Sequence, residues 1–207
     1  MDIKELFEKA LLAQAAYVDR LTPGLTGEKL VDELITVKGI TQAQAEYFSS
    51  KYVVVQQINN SETGFSATLF QDIETGEYHL AIRGSASFSF IEPDWIDANV
   101  NNLFNGIAFN QVADLLNFYL RLTHSEEVAQ FEFEEVILPE DSTAPEASII
   151  IEYVYEDLDN DGDVENSIKY LVFSDKDDPV PGLAAITDNQ KINVTGHSLG
   201  GHLASVF

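Results

Sequence analysis

The stretch from Lys191 to Gly201, Lys-Ile-Asn-Val-Thr-Gly-His-Ser-Leu-Gly-Gly, constrains the fold of this chain more than any other. Four strand-like residues run into the pattern G-x-S-x-G, and helix-like residues follow from His202 to Phe207. A strand that turns abruptly into a helix crowds the positions two places to either side of the turn, and Gly196 and Gly200 stand there. The serine between them, Ser198, is expected in a strained backbone conformation with its Oγ exposed, as in a nucleophile elbow. The helix behind it aims unpaired N–H groups and a partial positive charge at any anion formed beside Ser198. Gly201 and the small Ala204 and Ser205 suit the close helix packing that such a turn demands.

A second segment points the same way. Tyr78-His79-Leu80-Ala81-Ile82 reads as a buried strand and leads into Arg83-Gly84-Ser85, with Asp94-Trp95-Ile96-Asp97 downstream. With these residues the chain resembles the class 3 lipases of the α/β-hydrolase fold, whose strand ends in R-G-T or R-G-S with a D-W pair further on. Their nucleophile lies in G-H-S-L-G-G, matched here from Gly196 to Gly201. The amphipathic Leu11-Leu12-Ala13-Gln14-Ala15-Ala16-Tyr17 also looks like the family's first helix.

The resemblance implies an α/β fold with a mainly parallel sheet flanked by helices. It also implies a carboxylic ester hydrolase of the triacylglycerol lipase type, working through a serine acyl-enzyme and requiring no cofactor. Phospholipase A1 and short-chain esterase are alternatives within the class. On the same basis Ser85 contributes to the oxyanion hole, and the N–H of Leu199 is the second donor. This agrees with the rule that such holes combine the residue after the nucleophile with an N–H from an earlier strand-to-helix loop. Arg83 is expected to anchor a carboxylate by paired hydrogen bonds, with Asp94 or Asp97 as partner.

The general base is harder to find. In hydrolases of this type the triad follows the order Ser, Asp or Glu, His, and beyond Ser198 there is no acid and one histidine, His202. His202 sits one turn along the elbow helix, poorly placed to take a proton from Oγ while a carboxylate orients its other nitrogen. His197 lies inside the turn, His79 within a strand and His124 at a helix end. The expectation is that residues 1–207 form the N-terminal portion of one hydrolase domain, incomplete at its C-terminus, with the triad's acid and histidine beyond residue 207. The apolar Leu203-Ala204-Ser205-Val206-Phe207 carries no helix stop signal, in keeping with this. The reading from another class is a non-catalytic, calcium-stabilised interaction module that keeps the fold without turnover.

Along the chain, periodicity predicts a helix over 3–17 with Ile3, Leu6, Phe7, Ala10, Ala13 and Tyr17 on one face. Thr41-x-x-Gln44 has the form of a capping box opening a second helix. Strands are expected at 51–57, 65–71 and 78–83, joined by turn-rich segments, and a helix at 109–122. Phe88, Phe90 and Trp95 lie where a lipase carries an apolar flap over its serine, and they are candidates for a flap or acyl site. Residues 126–190 read as an acidic insertion. From Glu126 to Glu165 it holds 15 acidic residues and no Lys or Arg. Within the insertion, 148–155 and 167–173 form the two strands of a hairpin. Their connection places Asp157, Asp159 and Asp161, with Asp163 beyond, in the pattern of the first half of a calcium loop with glycine at its sixth position. Ile168 occupies the place of the usual bidentate glutamate, so calcium competes there with a solvated acidic turn.

Charge narrows the partners. With 35 acidic and 11 basic residues the formal net charge is −24, which repels phosphate backbones and anionic surfaces and argues against nucleic-acid binding. No apolar run approaches a membrane span, and the first residues lack the order of a signal peptide. The absence of cysteine excludes thiol catalysis, disulfides and thiolate metal sites. Acidity, the missing leader and the calcium-type loop are jointly compatible with an extracellular protein exported by a bacterial route without an N-terminal signal; otherwise the location is cytoplasmic.

Overall fold

The computed structural model describes residues 2–59, 61, 63–84, 108–156, 165–187 and 190–207. Ser85, Phe88, Phe90, Asp94, Trp95, Asp97 and the aspartates 157, 159, 161 and 163 lie outside the described residues.

Helices come first. Helix α1 (Ile3–Ala15) opens where the Glu5 N–H donates to the Asp2 carboxylate at 2.8 Å, the usual N-cap bond. Helix α2 (Gly27–Leu34) buries Leu30, Val31 and Leu34 along one stripe. Helix α3 (Gln42–Lys51) begins with the capping box that its sequence announces: Gln44 N–H donates to Thr41 Oγ1, and Thr41 N–H donates to Gln44 Oε1 at 2.9 Å. The expected apolar face of α1 is rotated. Leu11, Leu12, Ala13 and Ala15 are buried, whereas Ile3 is 87% and Leu6 57% exposed. Only the last turns of α1 reach the core formed with α2 and α3, and the first turns overhang it.

Strands β1 (Tyr52–Ile58), β2 (Ala67–Asp72) and β3 (Tyr78–Ile82) form an antiparallel meander. The β2–β3 turn is fixed by the Asp72 carboxylate, which accepts from Glu74 and Thr75 N–H groups at 2.9 Å each, and by Gly76 at φ +74°. Strand β7 (Ile192–Gly196) then lies parallel to β3, giving the order β1-β2-β3-β7. The expected mainly parallel sheet is thus corrected, for the described residues, to a mixed sheet with one parallel ladder. The connections from β1 to β3 are too short for the crossover that parallel pairing needs, and the long path from β3 to β7 supplies one.

Residue alternation covers both faces of this sheet. Val54, Phe70 and Ala81 join the core under α1–α3. Leu69, Leu80 and Ile82 point the other way, into a core with Leu115, Phe118 and Leu122 of helix α4 (Ala108–Thr123) and Leu203 of helix α5 (Leu199–Val206).

Between α4 and β7 stands a second open, antiparallel sheet of β4 (Glu127–Pro139), β5 (Ser148–Glu156) and β6 (Glu165–Pro181), in the order β4-β6-β5. The expected hairpin is its β5–β6 pair, while β4 is an addition. Asn117 of α4 mimics a neighbouring strand for this sheet: its amide accepts from Phe131 N–H and donates to Phe131 C=O, both at 2.8 Å. The chain therefore combines helices and strands in two open sheets, an α/β arrangement. No helix among the described residues is long and apolar enough to cross a membrane.

One ion-pair hub ties the helical layer to the sheet. Lys51 Nζ, at the end of α3, lies 2.7 Å from Glu8 Oε1 of α1 and 3.5 Å from Asp72 Oδ2 of β2, and 5.5 Å from the centre of the Tyr52 ring. Tyr47 OH donates to the same Glu8 oxygen at 2.5 Å. Burial opposes ionisation of Glu8, but Lys51 and the Tyr47 hydroxyl outweigh it and hold the carboxyl below its usual range. For Asp72 burial is likewise outweighed, by the Thr75 and Glu74 N–H donors and Lys51. Depressed carboxylate pKa values stabilise the fold above the unfolded-state values and lose that contribution as pH falls through the folded ones. Stability is therefore expected to fall below about pH 4. Lys51→Met, which leaves two largely buried carboxylates without their cation, should cost about 2 kcal/mol at neutral pH, read by urea denaturation.

Candidate active site at the ends of two parallel strands

Register builds the site. Tyr78 pairs with Ile192, Leu80 with Val194 and Ile82 with Gly196, so β3 and β7 finish level with each other. Arg83-Gly84 is thereby set beside His197-Ser198. In open α/β sheets such carboxyl ends of adjacent parallel strands are where ligands bind.

The turn after β7 has the conformation that its glycines permit. Ser198 adopts φ 57°, ψ −126°, a sparsely populated region for a residue with a side chain, and it is exposed. Helix α5 starts at the next residue. Gly200 N–H donates to His197 C=O at 3.0 Å, and Gly201 and His202 N–H groups donate to Ser198 C=O at 2.9 and 3.2 Å. Among the described residues no acceptor is hydrogen-bonded to the N–H of Leu199, the first residue of that helix.

Three glycines make the approach possible. A Cβ on Gly196 would overlap the Gly200 carbonyl group, and one on Gly200 would overlap the Ile82 carbonyl oxygen. On the neighbouring strand end, a Cβ on Gly84 would run into the His197 carbonyl oxygen while standing 2.8 Å from Tyr17 OH and 3.2 Å from Ser198 Cβ. The Arg83-Gly84 segment therefore abuts the serine directly, and Ser85, the expected oxyanion residue, follows Gly84 just outside the described residues.

Arg83 is buried, and its Nη1 donates to Asp19 Oδ1 at 3.0 Å. The carboxylate beside Arg83 is that of Asp19, from the segment after α1, joined through Nη1, while the expected partners Asp94 and Asp97 lie outside the described residues. Sequence spacing alone does not single out Asp19, because it comes to Arg83 through the packing of α1 across the strand ends.

The four histidines have different surroundings. His79 sits mid-strand with its ring edge-on to Tyr52 at 5.4 Å, and burial lowers its pKa. His124, after the end of α4, has its Nδ1 within 2.8 Å of Leu120 C=O. His202 is exposed one turn along α5. His197 Nδ1 is 3.3 Å from Tyr17 OH. Among the described residues no hydrogen bond joins any of these rings to the Ser198 hydroxyl.

An open cleft of about 690 Å³ reaches the elbow from the α1 side, lined by Leu6, Ala13, Tyr17, Val37, Gly196 and His197. Among the described residues no group of three or more His, Asp or Glu could hold a metal ion. Compared with known proteins, the chain matches no family model, no curated protein and no solved structure.

Backbone strain at Ser198 yields a direct expectation. Ser198→Gly should raise stability by about 1 kcal/mol, because glycine adopts this φ without penalty, whereas Ser198→Ala should be close to neutral. Gly200→Ala, which drives a methyl group into the β3 backbone, should cost about 3 kcal/mol or more. Chemical denaturation of the three variants checks the order.

Proposed function

We propose that this chain carries the nucleophile and oxyanion half of a serine ester hydrolase of the α/β-hydrolase type, resembling class 3 lipases and acting on carboxylic esters of the triacylglycerol kind. The observation that carries the reading is the strained, exposed Ser198 at the head of α5, its Cβ bordering the space that a side chain on Gly84 of the adjacent parallel strand end would take. A serine held at a conformational cost on a surface turn gains nothing structurally, and such strain accumulates at functional sites.

In the proposed reaction Ser198 Oγ attacks the ester carbonyl carbon while a base takes its proton. The tetrahedral oxyanion lies between the Leu199 N–H and the Ser85 residue, collapse expels the alcohol, and water releases the acid from the acyl-enzyme. Each oxyanion donor of this kind contributes about 2.7 to 4 kcal/mol to the transition state. None of His79, His124, His197 and His202 is hydrogen-bonded to the Ser198 hydroxyl among the described residues, so the reading rests on the nucleophile and the oxyanion donors and not on a base.

A fluorophosphonate probe on the native full-length protein tests this. One adduct is expected, lost in Ser198→Ala, with hydrolysis rates across acyl lengths and phospholipids then separating triacylglycerol lipase from phospholipase A1 or short-chain esterase. No adduct on correctly folded protein would overturn the hydrolase reading and favour the non-catalytic module.

A further inference from the structure

We propose that Tyr17 is a positioning residue for the nucleophile, one half of a clip by which the segment after α1 grips both strand ends of the site; the proposal rests on Ser198 being the nucleophile. The segment is itself rigidly held. Ala16, Tyr17 and Val18 N–H groups donate back to Leu12, Gln14 and Ala15 carbonyls at 3.1 Å each, so the chain leaves α1 through a tight final turn. Ala16 and Val18, on either side of Tyr17, are at most 1% exposed. From β1, the Gln57 amide donates to Val18 C=O at 2.7 Å and accepts from Leu21 N–H at 2.8 Å, fastening the segment to the sheet.

From this base two side chains reach across. Asp19 takes Arg83 at the end of β3, and Tyr17 reaches His197 at the end of β7. The Tyr17 ring stands edge-on to the imidazole, with centroids 6.3 Å apart and planes at 64°. The Tyr17 hydroxyl also borders the space that the missing Gly84 side chain leaves, the same space that Ser198 Cβ and the His197 carbonyl border. His197 is the residue through which the chain enters the strained serine, and its carbonyl accepts the Gly200 N–H that closes the turn. Fixing the His197 ring from α1 therefore fixes the peptide that sets the direction of Ser198. It also keeps this imidazole turned toward Tyr17. Where the hydroxyl is the donor to Nδ1, the imidazole carries its proton on Nε2, and this is the arrangement proposed for the clip.

The experiment uses the native full-length protein and Tyr17→Phe, which keeps the ring and removes the hydroxyl. Labelling by the fluorophosphonate and kcat are expected to fall about fivefold to tenfold with KM unchanged, the size of one lost hydrogen bond felt in the transition state. In a His197→Ala background the same change should have no further effect. Independently of turnover, nitrogen-15 spectra of the His197 ring in Ser198→Ala protein should show an unprotonated Nδ1, and adding Tyr17→Phe should shift the tautomer balance. Normal labelling and kcat in Tyr17→Phe, or ring spectra unchanged by it, would overturn the positioning role while leaving the hydrolase reading intact. A wild type that never labels would overturn the hydrolase reading and the positioning role with it.

Discussion

The end of β3 and the end of β7 come so close that neither leaves room for side chains at Gly84, Gly196 and Gly200, and everything distinctive about this molecule follows from that approach. A one-residue slip of β7 against β3 would move the glycines out of the contact and would turn Val194 to the opposite face of the sheet. The strain at Ser198 is of order 1–3 kcal/mol, and it persists because the ladder, the first turn of α5 and the Leu203 anchor all demand the same path.

The two cores hold that path from opposite sides. Beneath α1–α3, Phe48 packs against Tyr52 and Phe70 with ring centres 4.8 and 5.1 Å apart. Beneath α4 and α5, Leu115, Phe118 and Leu203 close over Leu80 and Ile82. Polar connections then fix how the layers sit on each other: Lys51 joins α1, α3 and β2, and Asp114 of α4 accepts from Ser61 and Thr63 of the β1–β2 connection at 2.7 and 2.5 Å. In a chain of net charge −24 each cation has several acids to choose from, so the placement of Lys51 and Arg83 in partly or fully buried pairs carries positional information that surface lysines do not.

What the sequence discloses and what it hides divide along physical lines. The elbow and the Thr41–Gln44 capping box are local, so their geometry is set by residues a few places apart and is legible as pattern. The meander is legible for the same reason, since Gly64 and Gly76 mark its turns. Strand β4 is hidden because the alternation Phe131-Glu132-Phe133-Glu134 stops after four residues, where Glu135 follows Glu134 out of phase, yet Phe131 and Phe133 pack on Phe173 across the sheet. Helix α2 spans only eight residues, too few for its apolar stripe to stand out as a period. The Asp19 and Tyr17 contacts are hidden in a different way: each joins residues far apart in the chain, and only the seating of α1 over the strand ends brings them together. The parallel partner of β3 is legible as a strand but not as a neighbour, since pairing order is a property of the crossover.

The β3–β7 ladder joins the first half of the chain to its last residues, with α4 and a whole second sheet lying between the two strands in sequence. Pairings of such separation carry the largest loop-closure entropy and form late in folding, after local hairpins and helices exist. Every hydrogen bond that compels Ser198 into its unfavourable conformation belongs to that late step or to the helix seeded by it. During biosynthesis the meander and the acidic sheet can consolidate while the serine is still an ordinary, relaxed residue. Its distortion is imposed by the closing of the fold, so a chain arrested before closure would hold all of its hairpins and none of its strained turn.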